Sequence, residues 1–144
     1  MEYEHITHSF KPVYDENSRI LILGTLPSVK SRENNFYYGH KQNRFWKLLA
    51  YLLDESVPET IDEKKYMLFK NHIAIWDVIQ SCDIRGSSDS SIRNVTPTDI
   101  RKILEYQLPL TGMEAVTLPS TSPANAAWSF ERLCEAWTRI LANL

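Results

Sequence analysis

His40 and Asn43 stand three residues apart in a stretch that mixes aromatic rings, amides and cations: Phe36-Tyr37-Tyr38-Gly39-His40-Lys41-Gln42-Asn43-Arg44-Phe45-Trp46. An Asn side chain is not a base, but it can accept a hydrogen bond from a water and donate one to a ligand at once. His40 can donate to a group that gains negative charge. Phe36 and Tyr37, in a polar loop beside positive charge, suit stacking on a planar base. Upstream, Gly24-Thr25-Leu26-Pro27-Ser28 turns the chain sharply, and backbone N–H groups in such a turn can bind an anion or a carbonyl. Far downstream, Ser120-Thr121-Ser122-Pro123 presents hydroxyls of the kind that precede a helix N-terminus, an end that attracts phosphate. Each feature also has an ordinary structural use. Asn43 suits a helix cap, the rings can plug a core, His40 can be a loop histidine, and Ser122 can cap a helix and do nothing else.

These loops need elements to hold them. Ile20–Leu23 is an uninterrupted apolar run ended by Gly24, which predicts a strand buried on both faces. From Arg44 the period changes: Phe45, Leu48, Leu49 and Leu52 share one face of a helix. Asp62 is the expected cap of a short helix through Phe69, and His72–Val78 a second strand. Ser81–Asn94 reads as a polar loop. Thr96 would cap a helix through Tyr106, with Pro97 at its first position, Asp99 at its capping acid and Ile100, Ile103 and Leu104 on its buried face. Glu114–Leu118 is a third strand. Ser122 and Pro123 would open the last helix, whose apolar stripe is Phe130, Leu133, Cys134, Trp137, Ile140 and Leu141. Strands that alternate with helices predict a parallel sheet with helices on its faces. In such a sheet ligands bind beyond the carboxyl ends of the strands, so the two loops would face one cleft.

A chain of 144 residues predicts one domain, and its net charge of −2 excludes a polyanion binder by overall charge. The distribution is uneven. From Arg19 to Leu53 the bases are Arg19, Lys30, Arg32, Lys41, Arg44 and Lys47 and the only acid is Glu33, a local basic face of the kind that meets a phosphate backbone. The plain alternative is a solvated charged surface. Cys82 and Cys134 are too few for a disulfide framework, and no metal-ligand spacing occurs. The N-terminus has no apolar signal segment and no run nears a membrane span, so a cytoplasmic protein is expected.

The Gly24–Ser28 turn, Tyr37-Tyr38-Gly39-His40 leading into Asn43-Arg44-Phe45-Trp46, and Leu118-Pro119-Ser120-Thr121-Ser122-Pro123-Ala124-Asn125 together resemble the uracil-DNA glycosylase superfamily. The branch most similar is that of the hypoxanthine-DNA (deoxyinosine) glycosylases, and Ile73–Asp77 and Gly86–Ser90 resemble its middle region. The likeness runs from about Arg19 to the C-terminus. It implies a three-layer α/β/α fold around a short central parallel sheet. It implies hydrolysis of the N-glycosidic bond of a deaminated base, hypoxanthine and also uracil, in DNA, leaving an abasic site without metal or other cofactor. Asn43 matches the family's catalytic Asn, with His40 as a donor to the leaving base. Gly24, Thr25, Leu26, Pro27 and Ser28 match its first motif, with Phe36 and Tyr37 stacking on the base. Ser120, Thr121, Ser122 and Pro123 match the loop that enters DNA, and Lys41 and Arg44 would hold phosphates.

Two departures stand out. Sister branches carry an Asn or Asp in the first motif to position the attacking water, where this chain has Leu26; in the hypoxanthine branch that duty falls on the residue matching Asn43. Relatives also place a further strand and helix before the last strand, so a segment near Gln107–Leu108 is expected to be missing from the single domain, 1–144. A catalytically inactive nucleic-acid-binding module of the same fold is the alternative, and a small-molecule nucleotide hydrolase a third reading. DNA is the only partner implied, and a monomer is expected.

Overall fold

The structure, a computed structural model, describes residues 2–86, 88–99 and 117–144. Five strands and four α-helices occur among these residues: β1 (Glu4–Thr7), β2 (Ile20–Gly24), α1 (Val29–Asn34), α2 (Phe45–Leu53), α3 (Ile61–Lys70), β3 (Ile73–Asp77), β4 (Ile79–Ile84), β5 (Arg93–Pro97) and α4 (Phe130–Trp137). Strands β2 and β3 pair in parallel, with Ile20 opposite Ile73 and Gly24 opposite Asp77. The expected α/β fold with parallel strands is present. Only β3 is buried along its whole length, however; β2 buries Ile22 and leaves Leu23 exposed.

The chain does not stop at the end of β3. Val78 and Ile79 donate to the carbonyls of Gly24 and Thr25 at 2.8 and 3.1 Å, which carries the parallel ladder into the first loop. Then β4 leaves to become the centre of a second, antiparallel sheet in the order β1-β4-β5. This sheet corrects several expectations. Ser81–Asn94 is not a loop but most of a hairpin, with a short 3₁₀ turn at Asp89–Ser91. Thr96 and Pro97 lie in β5 and cap no helix. The rest of the helix expected to Tyr106, and the site expected to lack a segment near Gln107, lie outside the described residues. So do Glu114–Val116 of the expected third strand, while Thr117 and Leu118 are irregular.

One main core joins the parallel strands to α2, α3 and α4. Phe45, Leu48, Leu49, Leu68, Ile73, Ile75 and Leu133 are at most 1% exposed, and full burial of such a side chain contributes roughly 1.5–3 kcal/mol. Thr60, not Asp62, caps α3: its hydroxyl accepts from the Glu63 N–H, and Glu63 reaches back to the Thr60 N–H in a complete capping box. The last helix begins later than expected. Ser129 caps it by accepting from the Arg132 N–H, and Ser122 and Pro123 lie in the preceding turns.

Candidate active site

The first turn is built so that its donors stay free. Gly24 and Thr25 use their carbonyls in the ladder to β3 and β4. The N–H groups of Thr25, Leu26 and Ser28 donate to no described residue, and Pro27 has none to give. Pro27 is buried, and its carbonyl accepts from Arg32 Nη1 at 2.7 Å; Arg32 Nη2 reaches the Gly86 carbonyl and straps the turn to the β4–β5 hairpin. Ser28 caps α1. Leu26 packs on Ile79, Cys82 and Ile84, a second small core, so this position holds apolar surface and no water-orienting group.

The three aromatic residues divide their roles. Phe36 and Tyr37 are 4% and 2% exposed. Phe36 stacks on Trp46, and the Tyr37 hydroxyl donates to the Lys11 carbonyl at 2.9 Å. Neither ring keeps a free face for a base, which corrects the stacking role expected of them. Tyr38 is the half-buried ring. At φ 52° it turns the chain, stacks on Phe45 at 4.0 Å and brings its hydroxyl over Gly24. Burial, and next the charge of Asp77, push both tyrosine hydroxyls well above the usual phenol range.

Beyond Gly39 the chain makes a turn closed by the Asn43 N–H to the His40 carbonyl at 2.9 Å. His40 Nδ1 accepts from the Gln42 N–H at 3.0 Å. The neutral ring therefore carries its proton on Nε2, where it can be donated. Asn43 Oδ1 accepts from the Phe45 N–H at 2.9 Å and from the Thr121 hydroxyl at 2.8 Å. Because the Phe45 N–H can only donate, the atom facing it must be the oxygen, and the Nδ2 donors are left with no described partner. The cap position of α2 falls on Arg44, one residue later than the cap expected at Asn43; Asn43 instead accepts the first N–H of the helix from the preceding turn, and it also touches the second loop.

That second loop is shaped by Arg44. Its guanidinium donates to the carbonyls of Ser122 at 3.0 Å, Asn125 at 3.1 Å and Trp128, and its Nε to Thr121 at 3.4 Å. The Arg44 N–H takes the Thr121 carbonyl as well, at 3.1 Å. Ser120 and Ser122 accept from the N–H groups of Ser122 and Ala124. Thr121 is buried at 3% exposure, whereas Ser120 and Pro123 are exposed. Arg44 is therefore occupied inside the protein, contrary to the phosphate role expected of it, while Lys41 is exposed.

A pair absent from the sequence reading sits on the other side of the first turn. Asp77 ends β3, and His8 Nε2 donates to its Oδ2 at 2.8 Å, with side-chain exposures of 6% and 2%. The signal for Asp77 was available, as an acid at the carboxyl end of an apolar strand; His8, 69 residues away, had none. Among the described residues no group of three His, Cys, Asp or Glu side chains could hold a metal ion, and no helix is long and apolar enough to cross a membrane.

The chain is similar to known proteins. A family model described as the uracil DNA glycosylase superfamily matches residues 11–143. A Methanosarcina acetivorans protein named hypoxanthine DNA glycosylase is 37% identical over 158 aligned positions, covering 96% of this chain and 99% of that one. The alignment is longer than the chain, so that relative has residues without a counterpart here. A protein of the same name from Methanosarcina barkeri is 38% identical over 86 positions, covering 59% of this chain and 54% of the other. The solution structure of a Methanosarcina acetivorans protein described as a proposed uracil DNA glycosylase superposes with a TM-score of 0.77 at 34% identity, covering 92% of this chain and 96% of that one.

Proposed function

The chain belongs to the uracil DNA glycosylase superfamily, and from that membership we propose how its residues remove a deaminated base. The protein is a DNA repair glycosylase that hydrolyses N-glycosyl bonds of deaminated bases. Hypoxanthine is the base we assign first, from the name its relatives carry, with uracil second. The target nucleotide leaves the stack, which costs a few kcal/mol and least for a mispaired base. As the glycosidic bond stretches, the sugar becomes cationic and the base anionic. Free N–H groups of Thr25, Leu26 and Ser28 meet the base carbonyl, and donors aimed at developing charge lower the barrier. His40, with its proton on Nε2, donates to the leaving base.

Asn43 positions the attacking water. One lone pair of its Oδ1 is fixed by the Phe45 N–H; the other is held by the Thr121 hydroxyl. As the 120–123 loop enters DNA, a water takes the place of that hydroxyl and is aimed at C1′. So electrophilic a cation needs its water placed more than deprotonated. Lys41 holds a phosphate, and Ser120 to Pro123 fill the space the base leaves. A monomer working on DNA in the cytoplasm belongs to the same proposal.

The Asn43–Thr121 hydrogen bond carries this reading, because it joins the two motif loops at one polar atom. Its test is single-turnover release of hypoxanthine from a duplex with one deoxyinosine, followed by alkaline cleavage of abasic sites. Asn43→Ala should slow release at least tenfold with duplex affinity little changed. Equal rates for variant and parent would refute the assignment.

A further inference from the structure

We propose that Arg32 is a positioning residue for base release: its guanidinium fixes the Pro27–Ser28 peptide so that the Ser28 N–H stays turned toward the leaving base. The inference deepens the glycosylase reading and rests on it. Arg32 Nη1 donates to the Pro27 carbonyl at 2.7 Å and Nη2 to the Gly86 carbonyl at 3.3 Å. Among the described residues every peptide bond is trans. In a trans peptide the carbonyl and the N–H that follows it point opposite ways. Drawing the Pro27 carbonyl onto Arg32 therefore turns the Ser28 N–H to the other side, where no described residue accepts it. Rotated by half a turn, the same unit would present an acceptor to a base carbonyl and repel it. The proline ring does not prevent that rotation, because it locks only its own φ. The Arg32 hydrogen bond is what opposes it.

Arg32 is itself held at both ends. It lies in the last turn of α1, half-buried, and its N–H donates to the Ser28 carbonyl at 2.9 Å. The helix that Ser28 caps thus returns its own guanidinium to the peptide ahead of the cap. The second acceptor, Gly86, sits at φ 58°, a conformation that strains any residue with a side chain. The turn around it is closed by the Arg85 N–H to the Ser91 hydroxyl at 2.9 Å, by that hydroxyl to the Ser88 carbonyl at 2.7 Å, and by the Ser88 N–H to the Arg85 carbonyl at 3.1 Å. The β4–β5 hairpin therefore offers Arg32 a carbonyl fixed in place. A charged donor on a carbonyl also polarises its peptide, which makes the N–H on the far side a stronger donor. That gain is largest when negative charge has grown on the base. It acts on the transition state more than on the bound duplex, so it raises the rate rather than the affinity.

The test is single-turnover release of hypoxanthine from a deoxyinosine duplex at rising protein concentration, which separates the maximal rate from the half-saturating concentration. Arg32→Ala should lower the maximal rate about tenfold or more, as loss of a donor to developing charge does, with the half-saturating concentration little changed. Guanidinium chloride, far below denaturing concentration, should restore part of that rate and saturate in doing so. Sodium chloride at the same concentration should not. Thr60→Ala removes the cap of α3, away from the first turn, and should lower Tm with the rate unmoved, which shows what lost stability alone does. Circular dichroism identifies a variant that fails to fold. Should Arg32→Ala be one, Arg32→Lys carries the test: a single ammonium cannot span both carbonyls, so its maximal rate should fall several-fold. If the wild type releases no base, the glycosylase reading fails and this inference with it. With an active wild type, three results overturn the positioning role alone: a folded Arg32 variant as fast as the parent, a loss confined to the half-saturating concentration, or an Arg32→Ala loss that guanidinium leaves untouched.

Discussion

Replacing Arg44 by Met separates a structural clamp from a phosphate contact. The guanidinium serves the carbonyls of Ser122, Asn125 and Trp128; those of Ser122 and Asn125 also accept a backbone N–H, from Asn125 and Trp128, as Thr121 does from Arg44, so of the four only Trp128 has no other described donor. Three carbonyls therefore lose a charged donor. At a half-exposed site water replaces part of each bond, so about 1 kcal/mol per carbonyl is a fair magnitude, or about 3 kcal/mol in all. For a chain of this size that lowers Tm by roughly 6–12 °C. The loop it fastens carries Thr121, which bonds Asn43, so base release should slow as well. Arg44→Lys should restore little, because one ammonium cannot reproduce a planar fork over three acceptors. The decisive assay is the salt dependence of duplex binding. A lost phosphate contact would flatten the slope of log K against log salt by about 0.9. Arg44→Met should leave that slope unchanged, whereas Lys41→Met, at an exposed side chain, should flatten it. A flattened slope with an unmoved Tm in Arg44→Met would refute the reasoning.

Two further substitutions probe the turn and the loop. Gly24→Ala puts a methyl group 2.4 Å from Asp77 Oδ1, and since His8 holds that carboxylate it should cost about 1–3 kcal/mol and abolish most activity; in thermal melts Gly24→Ala/Asp77→Ala should be more stable than the sum of the single losses predicts. Thr121→Val removes the hydroxyl that occupies Asn43 Oδ1 and should lower stability by about 1 kcal/mol; if that hydroxyl only holds the water's place, single-turnover release by the folded variant stays within a few-fold of the parent, and a loss as deep as that of Asn43→Ala would give Thr121 a direct part in the reaction.

Legibility in the sequence followed the hydrophobic pattern. Strands β2 and β3 and helix α2 show as apolar runs or a helical stripe, because burial fixes what their side chains must be. Strand β5 has the opposite character: every residue from Arg93 to Pro97 is exposed, and its register to β4 is broken by irregularities. With no face to bury, it carries no alternation, and its Thr96-Pro97 imitates the opening of a helix. Ser122-Pro123 misled for another reason. The carbonyls after it are held by Arg44, a residue 78 positions away, so the local signal for a helix start was overridden by a tertiary one. Asn43 was legible as a motif residue, although the cap position of α2 falls on Arg44. His8 was not, since its partner is fixed only by the pairing of β1 with β4.

The same long-range contacts bear on how the protein would find its base. Six bases surround the first loop in sequence, yet folding engages most of them. Arg32 and Arg44 serve backbone carbonyls, Lys30 pairs with Glu33 at 3.2 Å, and Lys47 lies over the Phe130 ring. Arg19 and Lys41 keep side chains with no hydrogen bond or ion pair to a described residue. Of the six, then, about two remain for phosphates, and their contribution to affinity falls steeply with salt. A weak, sequence-blind grip leaves selectivity to the pocket, where rejection of a normal base depends on polar atoms that go unpaired when the wrong one enters. In the proposed reaction the free N–H groups of the first turn are such atoms, because a base that presents no carbonyl there leaves them unpaired.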